Sequence, residues 1–358
     1  MSVLFVTRKA ILASVLLFSG GCSIRPLQHV PWGWPGRKSE GVAIALSSED
    51  AGGVEAQYTR GFSLLYGEGV TRNVTEGLGW LRKSAEGGYV QAQASLGMLF
   101  LKGIADVPKN EREAAKWLEM AALQGNSSAQ SSLGALLLVK ESAVRDPEAG
   151  VVWLRRAAGS GDVYAQVSLG LLYSKGFVVA QNDEESVRWY RKAADQGHVE
   201  AQTHLGIACY RGKGVAQSYE EARRLFLLAA EQGNALAMAN LGVMASRGEA
   251  TAKDEGQAVV WFRKSADLGN DDGQSNLGTA YYKGSGVAQD YGSALKWFLA
   301  AAEQGHATSQ FRAGYMYAQG QGVAADAAKA AEWLGKSAAQ GNPLAVRWLQ
   351  ERAEQKNE

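Results

Sequence analysis

Two cysteines in 358 residues, Cys22 and Cys209, leave no disulfide framework to hold this chain together. The four histidines, His29, His198, His204 and His306, show no His-x-x-x-His spacing and join no Cys/His set, so no tetrahedral metal site can be assembled from them. No Ser-His-Asp arrangement can be argued either, and catalysis is not expected. Charge of one sign is missing too. The 37 Lys and Arg stand against 36 Asp and Glu, a net of +1, which carries no nucleic-acid footprint. The apolar run Ala10 to Phe18 is too short to cross a bilayer as a permanent helix. Prolines number six. Glycines number 43, an abundance that would mark low complexity if it were unordered.

It is ordered. A small residue opens a similar segment at Ala56, Ala92, Ala129, Ala165, Ala201, Ala237, Gly273 and Ser309, with a ninth start at Ala345. Every interval is 36 residues except the second, which is 37. A period of this length predicts a stack of helical pairs in which each unit buries its apolar face against its neighbours. The length prior of two or three globular domains therefore does not apply.

The columns of the repeat explain themselves. Asn73, Asn110, Asp146, Asn182, Ser218, Asp254, Asp290 and Asp326 have short polar side chains suited to capping the second helix of each pair. That helix carries Trp80, Trp117, Trp153, Trp189, Leu225, Trp261, Trp297 or Trp333, read as a space-filling ring. Small pairs such as Ala121-Ala122 follow at helical spacing, permitting close approach of a neighbour. Gly88, Gly125, Gly161, Gly197, Gly233, Gly269, Gly305 and Gly341 end it. The first helix buries its opening residue, an apolar residue four on and another eight on. A glycine stands between them, five after the opening residue. Mid-helix glycine costs about 1 kcal/mol against alanine, so eight of them require close helix–helix contact. Cys209 falls in the buried column eight after the opening residue and reads as a small hydrophobe rather than a reactive thiol. Gly-x-Gly-Val turns reverse the chain at Gly67, Gly212, Gly284 and Gly320. They follow no strand and lack a Lys-Ser/Thr, so they are not phosphate loops. Repeat three has Lys140 to Arg145 in place of this turn, and repeat two has one extra residue around Ile104 to Lys109.

Ala-Gln, Leu-Gly, Tyr, Gly-x-Gly-Val, Trp and Ala-Ala-x-x-Gly in this order resemble the Sel1-like repeat family, relatives of the tetratricopeptide repeat, from about Val54 to Ala353. The resemblance implies an all-α fold, a right-handed α-solenoid of antiparallel helix pairs. It also implies a non-enzymatic adaptor without cofactor that binds another protein, in several bacterial members after export. At the other end of the chain, Arg8 and Lys9, the apolar run and Ser19-Gly20-Gly21-Cys22 resemble a lipoprotein signal with Cys22 as the acylated residue. Ser19 stands where Leu is usual. Ser23 follows the cysteine, with no Asp there to signal inner-membrane retention, which by resemblance favours the outer membrane. A plain cleaved signal or a short uncleaved anchor is the alternative. The expected organisation is a signal over 1–21, lipid attachment and tether over 22–53, eight repeats over 54–342, and a capping helix with tail over 343–358.

A partner would meet the first helices, which line the concave face of such an array. Opposite the buried stripe lie residues two, six and ten after the opening one. Six on gives an apolar ladder that includes Phe62, Met98, Leu171, Ile207 and Tyr315. Ten on gives a basic ladder that includes Lys102, Lys175, Arg211, Arg247 and Lys283. Together they describe a groove for an acidic, partly apolar segment of a protein. Two other readings stand beside it. The apolar column packs between successive first helices, and the basic column complements the helix dipole at its C-terminal end. Three on lies a polar column, Thr59 to Arg312, suited either to a bound peptide backbone or to a solvated rim. Beyond the binding module, a spacer in an envelope or polysaccharide-export assembly and a host-interaction factor are the alternative roles.

Overall fold

A computed structural model describes residues 52–354. Cys22 and the expected signal and tether up to residue 51 lie outside the described residues, as do residues 355–358. The chain forms two compact units that divide between Asn182 and Asp183. In the N-terminal unit the helices are α1 (Val54–Tyr66), α2 (Val74–Glu86), α3 (Val90–Lys102), α4 (Glu111–Leu123), α5 (Ser127–Leu138), α6 (Pro147–Gly159) and α7 (Val163–Lys175). In the C-terminal unit they are α8 (Asp183–Asp195), α9 (Val199–Arg211), α10 (Tyr219–Glu231), α11 (Ala235–Arg247), α12 (Glu255–Asp267) and α13 (Asp271–Lys283), then α14 (Tyr291–Glu303), α15 (Ala307–Gln319), α16 (Ala327–Ala339) and α17 (Pro343–Glu354). Odd-numbered helices are the first of each pair. Within each unit every helix packs on the next in sequence, and no strand occurs among the described residues. The fold is an all-α repeat solenoid.

The helix starts follow from the caps. Asn73, Asn110, Asp146, Ser218, Asp254, Asp290 and Asp326 each accept a hydrogen bond from a backbone N–H in the first turn of their helix. The terminating glycines sit at positive φ, for example +86° at Gly125 and +92° at Gly305.

The mid-helix glycines have the expected cause. A Cβ on Gly97 would lie 2.6 Å from Leu118 Cγ, and one on Gly206 would lie 2.7 Å from Phe226 Cε1. The residue pressed into each glycine is the one after the tryptophan column: Leu81, Leu118, Leu154, Phe226, Phe262, Phe298 or Leu334. These fill the core, while Trp80, Trp153, Trp189, Trp261, Trp297 and Trp333 are only half-buried. Each of those rings carries a cation of the same helix, such as Lys264 over Trp261 at 4.6 Å and Lys336 over Trp333 at 4.3 Å. These six tryptophans are thus lids over the core, whereas Trp117, 3% exposed, and Leu225, 2% exposed, fill space as expected. Cys209 is 1% exposed, and burial raises its thiol pKa.

Two devices fasten successive repeats. The first is a buried glutamine one residue after the opening position. Gln93, Gln130, Gln274 and Gln310 each donate from Nε2 to a carbonyl in the last turn of the preceding helix, for example Gln93 to Ala85 at 2.9 Å. In four copies the Oε1 of this glutamine accepts from a second glutamine at the end of the pair: Gln124 on Gln93, Gln232 on Gln202, Gln304 on Gln274 and Gln340 on Gln310, at 2.7–3.0 Å. In repeat three the second position holds Ser160, and Gln130 Oε1 is buried with no partner. In repeat six Met238 and Leu268 replace both glutamines together.

The second device is the turn. The later glycine of each Gly-x-Gly pair rests on the first residue of the previous repeat's second helix. A Cβ on Gly214, Gly286 or Gly322 would run into the backbone of Asp183, Glu255 or Tyr291 respectively. Gly69, in the first described repeat, meets nothing. Where the pattern departs, other groups compensate. In repeat three the Ala143 N–H donates to Glu111 Oε2 at 2.9 Å, and Lys109 pairs with the same carboxylate at 3.0 Å. The Ala143 hydrogen bond and then Lys109 hold the Glu111 carboxyl below the usual range. In repeat two Ala105 and Asp106 take positive φ, and Arg72 pairs with Asp106.

Candidate interaction surface on the first helices

Successive first helices touch at α3 and α5, α5 and α7, and α11 and α13. The seam between them needs small or slim side chains. It is made by the column two after the opening residue, where Ser131, Val167, Ala239 and Ser275 are buried; Thr203 on α9 is buried as well. The expectation that this column faces a partner is therefore corrected. Tyr58, Ala94 and Phe311 keep part of their surface. The polar column three on divides: Thr59, Ser95, His204, Asn276 and Arg312 are half-buried, and the other three are enclosed. Ser132, Ser168 and Asn240 are buried, and Ser168 and Asn240 donate to carbonyls of their own helix, on Tyr164 and Leu236.

The apolar column six on is half-buried at Phe62, Met98, Ile207 and Tyr315, so it packs and still presents surface. Leu171 departs from it. It is 8% exposed, on a face of α7 where Val167 and Ser168 are buried as well, so it belongs to the packing and offers no anchor.

In the N-terminal unit the surface that remains centres on α1 and α3. Tyr58, Phe62 and Tyr66 form an aromatic row with ring centroids 4.8 Å and 5.7 Å apart. Lys102 closes α3 beside Met98 in the sequence pattern. Its ammonium pKa is lowered by desolvation, with no carboxylate opposing that shift. In the C-terminal unit Ile207, Val243, Thr279 and Tyr315 mark the same face on α9, α11, α13 and α15.

Lys102, Lys175, Arg211, Arg247 and Lys283 are all exposed, each the last residue of its helix. Lys102, Lys175 and Lys283 enter no ion pair or ring contact among the described residues. Arg247 is held: its guanidinium donates to Tyr210 Oη at 2.7 Å and lies 3.7 Å from Glu249 Oε1. Tyr210 in turn donates to Glu249 at 3.1 Å, and burial, with Glu249 next, pushes its phenol up to about 12. Tyr282 makes the matching bond to Gln321 at 3.1 Å one period pair later. Of the two histidines at helix starts, His306 accepts from the Ser309 N–H through Nδ1, and His198 lies 3.3 Å from Glu200.

Among the described residues no group of His, Cys, Asp and Glu side chains is arranged to hold a metal ion, and no helix is long and apolar enough to cross a membrane. The surface offers shape, aromatic rings and positive charge.

A model of the Sel1 repeat matches eight consecutive segments: 54–89, 90–126, 127–162, 163–198, 199–234, 235–270, 271–306 and 307–342. A Sel1 repeat protein from Oxalobacter formigenes is similar at 37% identity and TM-score 0.68, covering 84% of this chain and 88% of that one. The protective antigen c5321 of uropathogenic Escherichia coli strains, described as displaying an SLR fold, is similar at 36% identity and TM-score 0.67, with 82% and 70% covered. No curated protein matches the chain.

Proposed function

The chain belongs to the Sel1 repeat family, and from that premise we propose that it is a scaffold that docks an acidic, partly apolar segment of a partner protein on its first helices. The fold is generally a protein–protein interaction scaffold, and the family is typically non-catalytic. The observation that carries the finer reading is the contrast between the two sets of helices. Most second-helix tryptophans carry a cation of their own helix, whereas Lys102, Lys175 and Lys283 on first helices enter no ion pair or ring contact among the described residues. Half-buried Phe62, Met98, Ile207 and Tyr315 supply apolar contact, and the exposed basic residues orient the partner.

The proposal extends to location. The sequence ending in Cys22 supports a lipid anchor at the cell envelope, with the array facing the periplasm or displayed outside. Globomycin-sensitive processing and a radiolabelled-palmitate signal lost in Cys22→Ala test that anchor, and an unlabelled wild-type protein contradicts it.

The docking surface is tested by Arg211→Glu with Arg247→Glu. Charge reversal at two exposed positions is expected to abolish partner co-purification. Because Arg247→Glu also sets a carboxylate against Glu249, Lys283→Glu, at a cation with no ion pair among the described residues, is the companion expected to weaken co-purification with little change in melting temperature. Unchanged co-purified partners would leave the spacer reading, in which array length matters and these side chains do not.

A further inference from the structure

Helix-dipole chemistry accounts for a cation in the last turn of a helix. It does not account for Arg312, the sixth residue of the 13-residue α15. This guanidinium is half-buried and sits 5.5 Å over the Phe298 ring, itself fully buried. Desolvation lowers the Arg312 pKa, and the one charge that opposes the shift is the Tyr282 phenol. No carboxylate pairs with Arg312 among the described residues. Of the first helices flanking α15 in sequence, α13 carries Asp271 and Asp272 in its first turn, and α17 carries Glu351, which pairs with Arg347 at 2.7 Å. Asp272 faces His306 at 3.6 Å. A partly desolvated cation without a counter-charge is costly to keep. Beside it, Phe311 and Tyr315 occupy positions one before and three after, half-exposed, with ring centroids 6.2 Å apart.

We propose that Arg312 is an anchor for a side-chain carboxylate of an extended acidic protein segment, with Phe311 and Tyr315 taking the flanking apolar residue. The occupant is set by charge. Arg211, Arg247, Lys283 and Arg312 share the first helices of this unit, and a guanidinium fork pairs a carboxylate through two parallel hydrogen bonds. The inference rests on the reading that first helices bind protein. It adds a position that dipole chemistry does not explain and that the basic ladder does not contain.

The test uses the full chain and two fluorescein-labelled octapeptides, one alternating Glu and Leu and the other alternating Gln and Leu, read by anisotropy at low salt. The Glu peptide is expected to bind at least tenfold tighter than the Gln peptide. Arg312→Gln should remove that preference, and Arg312→Lys should keep the charge and stem but retain only part of it. A preference unchanged in Arg312→Gln overturns the anchor. Equal losses for both peptides with a lowered melting temperature also overturn it, because they assign Arg312 to covering Phe298. If Arg211→Glu with Arg247→Glu abolishes binding while Arg312→Gln does not, the docking surface stands and this anchor falls. If neither peptide binds the wild-type chain, both fall.

Discussion

Val178 is a β-branched residue at φ +66°, in the turn position that Gly214, Gly286 and Gly322 occupy in other repeats. A left-handed backbone costs an L-residue about 1–2 kcal/mol, partly offset by the lower unfolded-state entropy of valine against glycine. Val178→Gly is therefore expected to raise stability by about 1 kcal/mol in urea unfolding, and Ala250→Gly, at φ +62°, by less. Gly206→Ala should act in the opposite sense, because its Cβ meets the Phe226 ring; the expected cost is about 1–3 kcal/mol. These positions show what was legible at this scale. The caps, the terminal glycines and the mid-helix glycines stand in the sequence as residue types whose backbone chemistry has one use. Six tryptophans of the column depart from the expected burial, because size alone suggests a filler. Its neighbour one residue on is more varied, yet in seven repeats its Leu or Phe side chain is what meets the glycine. The signal was the fixed spacing from glycine to that residue.

At the scale of the helix pair, the glutamine fastening and the turn contact decide how one unit grips the next. Gln130 lacks the acceptor-side partner that Gln93, Gln202, Gln274 and Gln310 possess. Ser160→Gln should supply it, with a gain of about 1 kcal/mol. In Gln130→Met the same substitution should gain nothing, and a full gain there would assign the effect to helix propensity instead. Both glutamines were visible in the Ala-Gln and Gln-Gly motifs, but their pairing across about 30 residues is a contact, which a column of identical letters does not reveal.

Glu111 belongs to this scale as well. Its folded-state pKa is depressed, so its contribution to stability is present above the ordinary glutamate value and disappears as pH falls through the depressed one. Wild type should thus exceed Glu111→Gln in stability at pH 7, and the two should converge in acid. A constant difference from pH 7 to pH 3 would mean the carboxylate charge is not what closes the turn of repeat three.

For the whole molecule, a sum of neighbour contacts predicts that a unit can be removed without losing the rest. Deleting residues 235–270 joins Asn234 to Asp271 and leaves an asparagine cap on α13, since Asn234 and Asn270 cap in the same way. The shortened chain should remain helical and unfold cooperatively at a lower temperature. The period made the array readable from the sequence. The candidate surface was only half readable, because a helical wheel marks which residues oppose the buried stripe but not where the next first helix lies. Contact between first helices closed the column at Val167, Ala239 and Ser275, and Leu171 is buried too, while Ile207 and Tyr315 stay partly open.

The central claim is that a partner lies on the first helices. Site-specific photocrosslinking in cells tests it most directly, with the photoreactive residue placed at Ile207 or Tyr315 on first helices, and at the exposed Val152 or Val260 on second helices. The account predicts one protein adduct of the same mass from Ile207 and Tyr315 and none from the valines. An adduct from Val152 or Val260, with nothing captured at Ile207 and Tyr315, would contradict it.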